Sequence, residues 1–229
     1  MAQIYEQLWQ ESAAAFEAGQ PQIDRHLSDP AKDRRRGVSL IFHPSPSVQT
    51  SIKCFQDTLA AVCPGQYFYR PEEFHVTALT LISGGELWRG EMRDVAAFRA
   101  ILREVLSRHH SFEVEFRGVT AAPSAVMIQG FPRDGGLEGI RDDLRRAFAQ
   151  RGFANRLDRR YRSATAHITA MRFAQPEADW QRLLTVLRAN RQTPFGMMAV
   201  DQLQLVWGDW YGTIGNLRVL EEFPLAKRA

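Results

Sequence analysis

Two short stretches of this chain share one grammar: His75-Val76-Thr77-Ala78 and His167-Ile168-Thr169-Ala170. Both lie in runs rich in β-branched and apolar residues, EFHVTALTLI (73–82) and TAHITAMRF (165–173), which predict strands. In a strand, residues two apart share a face. His75 and Thr77 therefore point one way and Val76 and Ala78 the other. His167 and Thr169 likewise oppose Ile168 and Ala170. A polar pair on one face of an apolar strand needs hydrogen-bond partners or a wet groove. The fold must supply that environment twice, and one strand per lobe facing a shared cleft supplies both at once.

The rest of the chain reads as alternating helices and strands. Residues 2–18 form an amphipathic helix, ended by Gly19 and Pro21. A polar linker over 19–36 closes on Lys32, Asp33, Arg34, Arg35 and Arg36. VSLIF (38–42) is a strand, and Ser47 is the expected N-cap of a helix over 48–62. QYFYR (66–70) is a short strand before the first motif, and a helix over 91–108 follows it. SFEVEFRGVT (111–120) and SAVMIQGF (124–131) are strands, then comes a helix over 137–151. After the second motif a helix starts at Pro176, a good first-turn residue, and two strands close the chain, MMAVDQLQLVWGD (197–209) and NLRVLEEF (216–223). The order strand, helix, histidine strand, helix, strands occurs twice, with the halves dividing near Arg133. The expected division is an N-terminal helical arm and basic linker, 1–36, and a single bilobal domain, 37–229. The class is α+β with mostly antiparallel strands.

Composition narrows the function. The chain has 229 residues and is 45% hydrophobic, enough for a sizeable core. No apolar run approaches the roughly 20 residues of a membrane span. The acidic start MAQIYEQLWQESAAAFEAG is not a secretory signal. Cys54 and Cys63 make no disulfide framework and read as reduced thiols of a cytoplasmic protein. The net charge of +3 is too small to imply capture of duplex DNA, although nearly all the basic residues are Arg, whose planar fork suits phosphate.

Paired histidines with adjacent threonines suit chemistry at a phosphodiester. One neutral imidazole activates a nucleophile, and one protonated imidazole gives its proton to the leaving oxygen. Threonine hydroxyls donate to non-bridging oxygens. Protonation and hydrogen bonds neutralise the developing charge, so no metal or cofactor is required. A zinc site from the histidines with Cys54 and Cys63 lacks close Cys-x₂₋₄-Cys spacing. The chain has no phosphate-cradling Gly-rich loop and no Gly-x-Ser-x-Gly elbow.

The two motifs resemble the paired His-Φ-Thr-Φ signatures (Φ apolar) of the 2H phosphoesterase superfamily, which includes bacterial RNA 2′,5′-ligase-like proteins and 2′,3′-cyclic phosphodiesterases. QYFYRPEEFHVTAL and DRRYRSATAHITAMRF are also similar to stretches in bacterial members, and the likeness runs over about 37–223. It implies the bilobal RNA ligase-like fold: two mostly antiparallel sheets with outer helices flanking a central cleft. It implies that His75 and His167 are the general acid and base, in an order left open, and that Thr77 and Thr169 hold the phosphate. Tyr69, Trp88, Trp210 and Tyr211 are candidates to stack a base. Arg160 and Arg162 are candidates for a second phosphate. The expected partner is a small nucleotide or an RNA end, with no membrane. The expected activity is opening of 2′,3′-cyclic phosphates or related 2′,5′ linkages, with 2′,5′ ligation or non-catalytic RNA binding as alternatives. The oligomeric state stays open.

Overall fold

The computed structural model describes residues 1–85, 90, 92–159, 162–177 and 179–227. Among them no helix is long and apolar enough to cross a membrane. Nine strands follow the chain: β1 (Arg36–Phe42), β2 (Tyr67–Phe68), β3 (Val76–Gly85), β4 (Phe112–Ala122), β5 (Ala125–Pro132), β6 (Ile168–Arg172), β7 (Pro194–Val200), β8 (Gln202–Asp209) and β9 (Arg218–Pro224). The helices are α1 (Ala2–Glu17), α2 (Pro46–Ala60), α3 (Val95–Leu106), α4 (Gly136–Gln150) and α5 (Trp180–Ala189).

The strands make one antiparallel path, β7-β4-β5-β6-β3-β1-β8-β9, with β2 paired to β6. At its middle, β3 and β6 share only the pair Val76↔Ile168. The path is therefore two four-stranded sheets that splay from one rung. Lobe A holds β3, β1, β8 and β9, and lobe B holds β6, β5, β4 and β7. This is the α+β bilobal architecture that the resemblance implies.

Apolar spacing explains the helix faces. α2 buries Val48, Ile52, Phe55 and Leu59, and α4 buries Leu137, Ile140, Leu144 and Phe148. α1, α2 and α5 pack around lobe B and α3 packs on lobe A, while α4 packs against α3 and reaches both β3 and β4. β4 keeps its alternation, with Phe112, Val114 and Phe116 buried and Glu113 and Arg117 exposed.

Several boundaries differ from the sequence reading. α2 begins two residues earlier, with Ser45 at the cap and Pro46 at the first helical position, where proline's fixed φ is already helical. Pro176 does not open α5; Asp179 caps it by accepting a hydrogen bond from the Arg182 backbone at 3.0 Å. The run 197–209 is two strands that part at Asp201, one at the far edge of lobe B and the other inside lobe A. The lobes are thus not the halves divided near Arg133. β4 and β5 precede that point yet belong with β6 and β7, and β8 and β9 return to the lobe of β1 and β3.

Candidate active site

The single rung between the lobes sets the geometry. Val76 pairs with Ile168 in antiparallel register, and both are fully buried on the outer face. The neighbours of that pair on the inner face follow from the register: His75 lies across from Thr169, and Thr77 across from His167. The four polar groups of the two tetrapeptides alternate around one small square. They line an open cleft of about 110 Å³. Each histidine sits just before the first ladder residue of its strand, outside the regular pairing.

The histidines are anchored differently. His75 Nδ1 lies 2.8 Å from the Glu73 carbonyl oxygen. That oxygen can only accept, so Nδ1 carries a proton and Nε2 is the end that titrates. Gly212, with φ +68°, packs against the ring; a Cβ there would lie 3.0 Å from His75 Cε1. His167 Nδ1 lies 2.8 Å from Thr165 Oγ1, a hydroxyl that donates or accepts. Burial pulls both imidazoles below their ordinary range. At His75 the charges of His43 and Arg172 add to the lowering, while the Glu73 carbonyl and Asp209 act in the opposite sense, favouring the cation. At His167 burial is joined by the charges of His75, Arg172 and Arg141, and its pKa falls to about 4.

A fifth group completes the cleft. Arg172 lines it beside His167 and Thr169. Its Nε donates to the Tyr69 hydroxyl at 2.8 Å, its guanidinium lies 5.4 Å from the centre of the Tyr211 ring, and Asp24 stands 3.8 Å away. Burial works against its charge, but Tyr69, Asp24 and Tyr211 outweigh that and raise its pKa. Strict alternation hides Arg172, because residue 172 should face away from Thr169. On β6, Met127 pairs with Thr169 and Val126 with Met171, so Ala170 is an extra residue, a bulge. The bulge turns Arg172 onto the face of Thr169. Ala78 is the corresponding extra residue on β3, between the pairs Ile41↔Thr77 and Leu40↔Leu79, and it brings Thr80 onto the face of Thr77.

A bulge leaves a backbone carbonyl without a ladder partner, and a buried one is costly. Each is met from behind by a buried polar side chain of a helix. Arg141 on α4 donates through Nε to Ala78 O at 2.7 Å, and also to the carbonyls of Thr77 and Thr165. Gln56 on α2 donates to Ala170 O at 2.7 Å and to Tyr69 O at 2.8 Å. The fourth residue of each tetrapeptide is thus the bulge, clasped by a helix. Nothing in the local pattern of α2 or α4 marks Gln56 or Arg141, except that each is a polar residue on an apolar face.

The remaining sequence candidates are spread more widely. Tyr69 and Trp210 line the cleft, and Trp210 lies against Gly84, where a Cβ would be 2.7 Å from its ring. Tyr211 is buried beside the cleft, its hydroxyl accepting from Arg35 at 3.0 Å. Arg162 is exposed and is not among the cleft residues. Trp88 and Arg160 lie outside the described residues. His43 is not among the cleft residues, its Nδ1 lying 2.8 Å from Phe74 O. Cys63 is in the core and Cys54 is exposed on α2. Among the described residues no three His, Cys, Asp or Glu are grouped to hold a metal ion.

Solved structures share this fold. TT0787 of Thermus thermophilus superposes with a TM-score of 0.61 at 17% identity, over 84% of this chain and 100% of that one. E. coli LigT complexed with 3′-AMP gives 0.53 at 15%, over 84% and 99%. A conserved protein of unknown function, ATU0111 from Agrobacterium tumefaciens str. C58, gives 0.55 at 15%, over 89% and 96%. No curated protein matches the chain in sequence. The family model of the 2′-5′ RNA ligase superfamily matches residues 44–210, a span that contains both tetrapeptides, both bulges and the helices that clasp them. The chain whose polar residues converge on this cleft belongs to the 2′-5′ RNA ligase superfamily, the two-histidine phosphoesterases that its sequence resembles.

Proposed function

We propose that the cleft opens 2′,3′-cyclic phosphates, or related cyclic and 2′,5′ linkages, of nucleotides or RNA ends without a metal. Family membership ties the chain to hydrolase or ligase chemistry of this group. The observation that carries the finer reading is the square of His75, Thr169, Thr77 and His167 around one cleft with Arg172 beside it. E. coli LigT, of the same fold, has been crystallised with 3′-AMP and with phosphate, which supports a nucleotide phosphate as the ligand.

The different anchors support a division of roles. Every charge that bears on His167 disfavours its protonation, so it is the base. His75 has a carbonyl at Nδ1 and Asp209 nearby to support a cation, so it is the acid. In hydrolysis, His167 Nε2 takes a proton from water while the water oxygen bonds to phosphorus. The bond from phosphorus to the 2′- or 3′-oxygen breaks, and the leaving oxygen takes its electron pair and the proton of His75 Nε2. Thr77, Thr169 and Arg172 bind the non-bridging oxygens, where negative charge accumulates. The same pair acting in the same sense, with the 5′-hydroxyl of a second RNA end attacking phosphorus in place of water, forms a 2′,5′ linkage as the bond from phosphorus to the 3′-oxygen breaks and that oxygen takes the proton of His75.

The test is turnover of the four nucleoside 2′,3′-cyclic monophosphates in excess chelator, with His75→Ala and His167→Ala beside the parent and the phosphate position of the product determined. The expected result is turnover in chelator that both substitutions reduce by about 10²–10⁴-fold. Turnover that persists in either variant, or that requires an added metal, overturns the mechanism. Tight binding of RNA ends without turnover of any cyclic or 2′,5′-linked substrate identifies a binding module instead.

A further inference from the structure

The family match begins at residue 44, and α1 lies wholly before it. Yet α1 sends one side chain to the strand that carries the second histidine. Tyr5 is 1% exposed, and its hydroxyl is fully used. It donates to Gly130 O at 3.2 Å, and accepts from Gly130 N at 3.2 Å and from Ala166 N at 3.1 Å. Burial pushes its pKa up to about 12, so it stays a hydroxyl. The register of β5 and β6 ends at Ile128↔Ile168, and beyond it the phenol stands between the strands in place of a ladder bond. Only glycine fits at 130, because a Cβ would lie 2.1 Å from Ala166 O.

Ala166 is the residue between Thr165, which holds His167 Nδ1, and His167 itself. Arg141 holds the carbonyl of Thr165 at 2.6 Å. The backbone that aims the imidazole is therefore fixed by two side chains, one from α4 and one from α1. The linker after α1 holds the far end of the same strand. The Asp24 N–H donates to Phe173 O at 2.8 Å, and the Asp24 carboxylate stands 3.8 Å from Arg172. The N-terminal segment thus grips β6 before His167 and after Arg172.

We infer that Tyr5 is a positioning residue for His167 and that the segment 1–36 is a working part of the cleft. The inference rests on the reading of His167 as the base. The loss of one hydroxyl at Tyr5 frees the Ala166 and Gly130 amides, lets the 165–167 backbone relax, and admits water to the imidazole.

The test is Tyr5→Phe in the full chain, with three readouts: cyclic-phosphate turnover, NMR titration of the His167 ring, and thermal stability. The expected result is a kcat about ten-fold lower with KM within about two-fold, and a His167 midpoint that rises toward the ordinary imidazole value of about 6.5. Ile101→Val, a core change on α3 outside the N-terminal segment, lowers stability while leaving kcat and the His167 titration unchanged. A Tyr5→Phe protein that melts earlier but keeps both kcat and the His167 midpoint overturns the inference. Should that variant not fold, amide exchange in the parent decides. Protection of the Ala166 N–H that is lost in step with the amides of α1 supports the inference, and protection independent of α1 overturns it. Failure of the functional reading shows separately, as full turnover in His167→Ala. The His167 titration then still reports on Tyr5.

Discussion

What stands behind each histidine decides what it can do. On the proposed assignment, with His167 as a base whose pKa is about 4 and His75 as an acid held below the usual imidazole range, kcat/KM for a cyclic phosphate should rise through about pH 4 and fall again below about pH 6.5. A pH-rate profile with an optimum at mildly acidic pH is the expected result; an optimum above pH 7 contradicts the assignment. The same depressed group acts on stability. The unfolded chain protonates His167 at about pH 6.5, but the folded chain resists until about pH 4. Stability therefore falls as pH falls through that window, by at most about 3 kcal/mol from this residue once the solvent in the cleft is allowed for. Urea melts at pH 7 and pH 4.5 should show a smaller difference in His167→Gln than in the parent. Arg172 has a charge role that glutamine cannot fill. Arg172→Gln should lower kcat/KM by about 10²-fold or more, and Arg172→Lys, which keeps the charge but not the fork, should recover part of it.

Helices and strands carry a second layer. The alternation in each tetrapeptide placed histidine and threonine on one face from sequence alone, and the structure has them there. The same rule fails one residue later, because Ala78 and Ala170 are bulges and the period of two restarts out of phase. Arg172 was invisible for that reason, although it lies only three residues beyond Thr169. Gln56 and Arg141 were hidden differently: each is a polar residue whose partner is a backbone carbonyl distant in sequence. Gln56→Leu keeps volume but removes the side-chain donor to the Tyr69 carbonyl and leaves Ala170 O only the longer bond from Tyr69 N at 3.3 Å. It should cost about 1–3 kcal/mol in denaturant melts and reduce kcat more than it raises KM. An effect on stability alone would mean that the bulge keeps its shape without the clasp.

At the scale of the whole molecule, the five helices and the α+β class were legible in apolar periodicity, but the ninth strand and the pairing of the lobes were not. The stretch 197–209 reads as one strand, with no turn residue of the Gly or Pro kind at Asp201, where strands of opposite lobes divide. Periodicity reports which face of an element is buried, not against which sheet. Nor did the local pattern of α1 show that Tyr5 ends beside the second histidine strand, since that contact spans more than 160 positions. The interleaving has a consequence for how the protein is made. Lobe A is begun by β1 and β3 and finished only by β8 and β9, and the cleft wall of Asp209, Trp210 and Gly212 comes later than every other catalytic element. A chain emerging from the ribosome in N-to-C order holds both histidines long before it holds a closed site. The cleft thus closes only after β8 and β9 have followed both histidines, so a chain that stops before residue 202 holds the histidines without the wall that faces them.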